Sequence, residues 1–232
     1  MSAGDGEVAA QTPPQRRLRW RAASRIVPTR HPTIYLFDRV ADAEDFDALY
    51  ALEAMTNERA REAAGAIERV PPADRVYGPG YGIVIAAFTH LNPMGSRFSD
   101  GSYGVFYAAR TRATAVAETM FHHGRFLAAT AEPAMHLPMR LYEVAIDATL
   151  HDLRQGHDAE HAPGDYAASR ALGARLHRAG SAGVAYRSVR DPSGRGECVG
   201  LFRPRGAGPC VERAVLLYAW DGTRFTGVYE RL

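Results

Sequence analysis

The most informative stretch of this chain runs from Gly95 to Glu118 and reads GSRFSDGSYG (95–104), VFYAA (105–109), RT (110–111) and RATAVAE (112–118). Its first part is a loop of small residues, and its second part is an apolar segment typical of a β-strand. A helix is predicted from about Thr111 to His122, because apolar residues recur there at the spacing of one buried helix face. The residues of that face are Ala113, Val116, Ala117, Met120 and Phe121. The sequence therefore predicts a loop, a strand and an amphipathic helix in direct succession.

Four polar residues in or near this unit could carry chemistry, and each also has an ordinary structural explanation. Arg97 lies in a loop rich in Gly and Ser, where a guanidinium group can reach a phosphate or simply face solvent. Glu118 lies at the edge of the apolar helix face, so its carboxylate is either partly desolvated or on the surface. Tyr107 fits a core tyrosine of the strand, and Ser188 fits the turn predicted at residues 191–194. Taken singly, none of these positions assigns a function.

Helices and strands follow one another without regular alternation in the rest of the chain. Helices are predicted from Asp42, at 58–64 and at 165–179, and strands at 83–88, 140–146, 184–186 and 199–202, with a terminal hairpin of 213–220 and 225–229. The hairpin turns at Asp221-Gly222, a favoured turn dipeptide. This pattern predicts an α+β fold with a mostly antiparallel sheet rather than a doubly wound fold.

The length of 232 residues fits one globular domain with an extension, or two small domains. Residues 1–30 combine Gly, Ala, Pro, Gln and Arg without apolar periodicity, and they are predicted to be a flexible basic tail. Residues 31–232 are predicted to form a single domain, with a helical extension or insertion at about 42–66.

Composition argues against several functional classes. A net charge of +2 is too close to balance for a dedicated nucleic-acid-binding protein. No apolar run approaches the roughly 20 residues that a membrane-spanning helix needs, and no signal peptide is recognised. The two cysteines, Cys198 and Cys210, are too few for a secreted disulfide scaffold. A protein of the reducing cytoplasm is therefore predicted.

The histidines suggest two competing chemistries. His157 and His161 have the i, i+4 spacing of zinc ligands on a helix, but Gly156 and Pro163 flank them, so a polar loop without a metal is predicted. His122 follows Glu118 by four residues, which would suit an acid–base pair such as a ribonuclease uses. The charge balance and the lack of interleaved aromatic and basic residues disfavour an RNA enzyme. A third alternative is a non-catalytic interaction module on the same fold.

The order and spacing of the segments resemble the RES-domain family, which is named for its Arg, Glu and Ser. Members typically read G-G/S-R-W/F, then a strand v-h-Y-x-A, then a helix t-A-x-x-E. The matching segments here are Gly95-Ser-Arg-Phe98, Val105-Phe-Tyr-Ala-Ala109 and Thr114-Ala-Val-Ala-Glu118. A further segment, Gly183-Val-Ala-Tyr-Arg-Ser188, is close to the Gly-apolar-x-Tyr/Phe-x-Ser of the family. The resemblance covers about residues 75–230, with mild departures at Ser96 and Phe98.

The resemblance implies an ADP-ribosyltransferase-like fold, in which a split antiparallel sheet surrounds a cleft for NAD⁺. It further implies the toxin of a two-gene toxin–antitoxin pair that cleaves the nicotinamide–ribose bond of NAD⁺, or that transfers ADP-ribose to a protein. NAD⁺ would be the substrate rather than a bound cofactor. The implied partner is a cognate antitoxin. A homodimer is left open, and the composition predicts neither a membrane nor a nucleic acid as partner. Water, phosphate and a protein all remain open as the acceptor.

Carried over residue by residue, the resemblance also implies site roles. Arg97 would hold the phosphates of NAD⁺ or its nicotinamide-side ribose, and Tyr107 would stack on the nicotinamide. Glu118 would bind the ribose 2′-hydroxyl and stabilise positive charge, and Ser188 would complete the polar wall.

On the N-terminal side of the matching segments, the chain contains residues that a compact RES domain lacks. The segment from Tyr35 to Gly65 is additional, and its helices could bind a target protein, an antitoxin or a second copy of the chain. Some members carry a further site arginine upstream, for which Arg39 and Arg75 are both candidates.

Overall fold

The computed structural model describes residues 12–30 and 65–231, which contain seven strands and three α-helices. The strands are β1 (Gln15–Pro28), β2 (Phe106–Ala109), β3 (Met135–Asp152), β4 (Gly183–Arg187), β5 (Glu197–Leu201), β6 (Val211–Trp220) and β7 (Phe225–Arg231). The helices are α1 (Gly82–Thr89), α2 (Arg112–Ala129) and α3 (Ala167–Arg178). This content confirms the predicted α+β class.

The strands form one sheet in the order β1-β2-β5-β4-β3-β6-β7, and β1 also pairs with β3. Because of this extra pairing, β1, β2, β5, β4 and β3 close into a ring, and closure removes free sheet edges. The β6–β7 hairpin extends from β3 outside the ring. Only β3 and β4 pair in parallel, so the predicted mostly antiparallel sheet is confirmed.

The sheet splits along one side of β3. On that side β6 pairs as far as Glu143, whereas β4 pairs only at His151 and Asp152. Between these positions only a single bridge, from Ile146 to Ala207, is found among the described residues. The opposite side of β3 is covered by β1 along the whole interval.

Strand β1 corrects the prediction of a flexible tail over residues 1–30, which is wrong for residues 15–28. This strand pairs with β3 through twelve residue pairs, from Gln15–His151 to Pro28–Met139. Leu18 and Trp20 are buried between exposed arginines, as expected of alternating strand residues. A register shift between Trp20 and Ala23 then breaks the alternation. The buried ring of His151 holds the beginning of the segment through the backbone oxygen of Pro13, at 2.7 Å.

Helix α1 corrects a second prediction, because residues 83–88 were expected to form a strand. The helix is buried on nearly all sides, with Ile83, Val84, Ile85 and Phe88 all in the core. A continuous apolar run therefore carries no periodicity to separate helix from strand. The helix packs with β1, β2 and β3 in one hydrophobic cluster.

The remaining predicted elements inside the described ranges are confirmed, with small changes in their ends. Helix α2 continues seven residues beyond His122, and β3 extends the predicted strand of 140–146 at both ends. The terminal hairpin turns at residues 221–222 as predicted, since Asp221 accepts from the backbone of Thr223 and Arg224. The helices predicted at 42–55 and 58–64, and Arg39 with them, lie outside the described residues.

A second hydrophobic cluster lies on the other face of the sheet, where α2 and α3 pack. Its members include Phe98, Met139, Leu172, Tyr186 and Tyr218. In residues 12–30 and 65–231, no helix is both long and apolar enough to cross a membrane.

Candidate active site

A cavity of about 310 Å³ lies where β1, the loop at 95–97, β2 and α2 meet. This volume is at the lower end of the range usual for small-molecule sites. Its lining residues include Arg25, Ser96, Arg97, Tyr107, Glu118, His122 and Tyr166. The loop–strand–helix unit predicted from the sequence therefore supplies about half of the polar side chains that line one pocket. Glu118 is the only acidic residue among the described lining residues.

Glu118 lies on α2 at the margin of the core, as the helix pattern predicted, and its side chain is 15% exposed. The hydroxyl of Ser188 donates to its Oε1 atom at 2.6 Å. Burial raises the pKa of Glu118, while this hydrogen bond and the charges of Arg97 and Arg190 act in the opposite direction. One carboxylate oxygen is thus committed to Ser188, and the other faces His122 across 3.7 Å.

Ser188 begins a tight turn directly after β4. Its hydroxyl oxygen accepts from the backbone N–H groups of Arg190 and Asp191 at 3.2 and 3.0 Å. With its lone pairs occupied in this way, the hydroxyl has its proton free to donate to Glu118. Ser188 is not among the residues that line the cavity, so it reaches the site by orienting Glu118.

Arg97 is a buried arginine, only 6% exposed, at the wall of the cavity. Its Nη1 atom donates to the backbone oxygens of Glu160 and Ala162, and its guanidinium lies 4.6 Å from the centre of the Tyr166 ring. Its Nη2 atom is buried without a hydrogen-bond partner among the described residues. An unpaired buried guanidinium N–H is costly unless a ligand satisfies it.

Tyr107 fixes the loop that carries Arg97. Its hydroxyl accepts from the backbone N–H of Phe98 at 3.0 Å and bonds to the hydroxyl of Ser96 at 2.8 Å. Burial raises its pKa to about 12, so it stays protonated. The loop itself turns at Gly95 (φ +72°), where a Cβ would lie 2.5 Å from the backbone oxygen of Ser99.

Arg25 is a site residue that the sequence reasoning missed. It lies on β1, lines the cavity and donates to the backbone oxygen of Tyr107 at 2.8 Å. Its guanidinium lies 4.4 Å from the centre of the Phe106 ring, and burial lowers its pKa. Its Nε atom is buried and has no partner among the described residues. The only sequence signal was the alternation of arginine with apolar residues after Gln15.

Arg75, one of the two upstream arginine candidates, is not placed at the site. Its Nε atom donates to the backbone oxygen of Val70 at 3.0 Å, and it does not line the cavity. Arg25 is the arginine upstream of Arg97 that lines the cavity in the described part of the chain, and the second candidate, Arg39, lies outside that part.

The histidines divide between the cavity and the scaffold. His122 lines the cavity, and its pKa is lowered to about 4 by burial and by the charges of Arg190, Arg97 and Arg125. His161 lies in a turn, not a helix: its Nδ1 atom bonds to the backbone oxygen of His157, and its Nε2 accepts from the N–H of Arg187. Both of its ring nitrogens are therefore occupied by structural contacts. Within the described ranges, no three His, Cys, Asp or Glu residues are grouped so as to hold a metal ion.

The chain is similar over most of its length to a protein known from its sequence and to a chain of a solved structure. The uncharacterised protein y4oC of Sinorhizobium fredii (strain NBRC 101917 / NGR234) is 28% identical over 209 residues, which cover 88% of this chain and 85% of that protein. The M. tuberculosis MbcT–MbcA toxin–antitoxin complex contains a chain that aligns with a TM-score of 0.47 and 11% identity, over 90% of this chain and 87% of the other. A RES domain profile matches residues 72–221, well over half of the chain. The chain therefore belongs to the RES-domain family.

Proposed function

We propose that this chain is an NAD⁺-cleaving toxin of a toxin–antitoxin pair. The observation that carries the proposal is the composition of the cavity: one oriented carboxylate, Glu118, shares it with two buried guanidinium groups that have unpaired nitrogens, Arg25 and Arg97. A dinucleotide has both kinds of complementary group, since its ribose develops positive charge during cleavage and its phosphates are anionic. Membership of the RES-domain family supports the same substrate.

Glu118 would act on the bond between nicotinamide and ribose. As that bond breaks, its electron pair passes to the nicotinamide nitrogen and the ribose becomes an oxocarbenium-like cation. A fixed carboxylate beside the ribose stabilises this cation more strongly than it stabilises the substrate. Nicotinamide leaves as a neutral molecule, so the reaction does not require a second carboxylic acid. A single acidic residue among the described lining residues fits this chemistry.

The other residues of the cavity would bind and orient the dinucleotide. The free N–H groups of Arg97 and Arg25 suit phosphate oxygens, because guanidinium binds phosphate through directed hydrogen bonds. Tyr107 commits its hydroxyl to the 95–98 loop, which leaves its ring as the surface on which nicotinamide stacks. Ser188 would hold Glu118 in its reactive orientation.

The proposal is tested by mass spectrometry of the purified chain incubated with NAD⁺ and phosphate. Release of nicotinamide is expected, and the second product identifies the acceptor: ADP-ribose for water, ADP-ribose-1″-phosphate for phosphate, or a modified protein. Glu118→Gln should reduce turnover by roughly 100- to 1000-fold, the usual loss when one transition-state charge partner is removed. Arg97→Ala should also reduce it.

Glu68→Gln is the matched control, because Glu68 is exposed and is not among the residues that line the cavity. Its turnover should equal that of the wild type. If no nicotinamide is released, or if Glu118→Gln retains full turnover, the proposed function is wrong.

The partner would be a small antitoxin that covers the mouth of the cavity. Expression of the chain alone should arrest growth and lower cellular NAD⁺, and co-expression with the product of a neighbouring gene should restore both. Growth arrest that persists in the Glu118→Gln variant would contradict this mechanism of toxicity. NAD⁺ loss that continues in the presence of every neighbouring gene product would contradict the antitoxin.

A further inference from the structure

The turn that begins at Ser188 is attached to α2 at two points, and only the first of them touches Glu118. The first is the hydrogen bond from Ser188 to Glu118. The second is the hydrogen bond from the hydroxyl of Thr114 to Oδ2 of Asp191, at 2.6 Å. Thr114 precedes Glu118 by four residues, so both attachments lie on one face of the helix, one turn apart. The turn and the helix are thus held as a rigid pair.

The second attachment has the features of a strong, specific contact. Hydrogen bonds from Thr114 and Ser193 lower the pKa of Asp191, so its carboxylate is ionised at neutral pH and accepts a short, charge-assisted bond. Thr114 is buried, at 1% exposed, and its hydroxyl also bonds to that of Thr111 at 2.8 Å. Thr111 in turn caps the first turn of α2.

Gly196 leaves the space that this contact needs. A Cβ at residue 196 would lie 2.6 Å from the Asp191 side chain and 2.8 Å from Cγ2 of Thr114. The backbone oxygen of Gly196 also accepts from the N–H of Ser188 at 2.8 Å. Gly196, which directly precedes β5, therefore holds the backbone of Ser188 and also makes room for the Thr114–Asp191 pair.

We propose that Asp191 and Thr114 are positioning residues, which clamp the Ser188 turn to α2 and so keep the Ser188 hydroxyl on Glu118. The inference rests on the proposed function for its effect on turnover, but the clamp itself concerns the state of Glu118. Neither residue lines the cavity, so neither contacts the substrate. Both act through Ser188.

The clamp has a consequence that can be measured at Glu118. The groups facing this carboxylate are Ser188, Arg97, Arg190, Asp191 and His122. The Ser188 hydrogen bond lowers the pKa of Glu118, so its loss raises that pKa. The negative charge of Asp191 already raises it, so a neutral residue at 191 would change the pKa in the opposite direction. Thr114 is therefore the position to vary, because its substitution keeps every charge.

The experiment compares Thr114→Val, which has the same shape without the hydroxyl, with Thr114→Ser, which keeps the hydroxyl. The Glu118 carboxyl is titrated by NMR in each purified protein without NAD⁺, and kcat and KM are measured across pH with NAD⁺. Thr114→Val should raise the Glu118 pKa and lower kcat on the order of 10- to 100-fold with little change in KM, since a misplaced reacting group costs this much. Thr114→Ser should stay close to the wild type in both respects.

Each remaining outcome is informative. An unchanged Glu118 pKa in Thr114→Val overturns the clamp, whether or not the chain cleaves NAD⁺. Equal losses in Thr114→Val and Thr114→Ser also overturn it, because they would indicate a packing role. If Thr114→Val shifts the Glu118 pKa but the wild-type chain releases no nicotinamide, the clamp stands and the proposed function is wrong. Should Thr114→Val fail to fold, Thr114→Ala, which also removes the hydroxyl and keeps every charge, must raise the Glu118 pKa or the clamp is wrong.

Discussion

His122 shows how the charges around the cavity set the state of a single residue. Three arginines and burial lower its pKa to about 4, although its side chain is half-exposed and lies 3.7 Å from Glu118. The imidazole is therefore neutral at neutral pH. In an acid–base pair with Glu118 it could therefore act there only as the base.

The same pKa predicts how stability depends on pH. In the unfolded chain His122 returns to its ordinary pKa of 6.5, so below that pH the unfolded state binds a proton that the native state does not. Its contribution to the free energy of unfolding is complete above about pH 6.5 and is lost as pH falls toward 4. Removing the titrating group by His122→Asn should make the unfolding free energy fall less steeply over this window, as measured by urea denaturation at several pH values.

The exposed His136 provides the control for that experiment. His136→Asn should leave the pH dependence of unfolding close to that of the wild type. An NMR titration in which His122 protonates near pH 6.5 would contradict the neutral imidazole directly.

Local sequence pattern made Arg97 and Glu118 candidates for the site, and the resemblance to the RES-domain family singled them out. The helix periodicity predicted Glu118 at the edge of the buried face, and a side chain 15% exposed fits that position. The Gly/Ser loop indicated that Arg97 could approach a ligand, but not that it is buried. Arg25 could not be found, because its role depends on a strand pairing more than 100 residues away in the chain.

Strand β1 shows that a segment rich in arginine can form a regular strand that its composition does not indicate. Arginines at alternate positions dominate the segment, while the apolar positions that define the strand are few and are interrupted by the register shift after Trp20. Helix α1 was predicted as a strand for a different reason. It is buried on nearly all sides, so its apolar residues show no helical periodicity. Helix α2 was predicted at the correct place in the chain, but its fully buried residues are Thr114, Ala115 and Leu127, whereas Ala113 of the predicted face is exposed.

The importance of β1 is tested by Trp20→Ala. Trp20 is 8% exposed and belongs to the cluster that packs α1 against the sheet. Truncation of a buried tryptophan should lower the free energy of unfolding by about 3–5 kcal/mol, from the lost apolar burial and the cavity that remains. Urea denaturation followed by circular dichroism measures the change.

Arg21→Ala is the matched control on the same strand, because Arg21 is exposed. Its unfolding free energy should stay within about 0.5 kcal/mol of the wild type. Residues 15–28 would be a dispensable tail after all if Trp20→Ala had an equally small effect.

At the scale of the whole molecule, the sequence predicted the α+β class and the antiparallel character of the sheet, because hairpins and single elements are local. It did not predict the closed ring, which depends on pairings between β1 and β3 and between β2 and β5. Such pairings leave no periodic signal in any single segment. The cavity lies where these non-local pairings bring the strands together. Its full set of lining residues could therefore be identified only from the structure.

The ring also brings together residues that are far apart in the order of synthesis. Arg25 lies near the beginning of the chain, whereas Ser188, which orients Glu118, lies in its last quarter. A ribosome adding about 5–20 residues per second needs on the order of 10–30 s to pass from one to the other. Throughout that interval the nascent chain contains the residues of β1 but lacks the turn that orients Glu118. A chain terminated before residue 188 would therefore lack the hydrogen bond that orients Glu118.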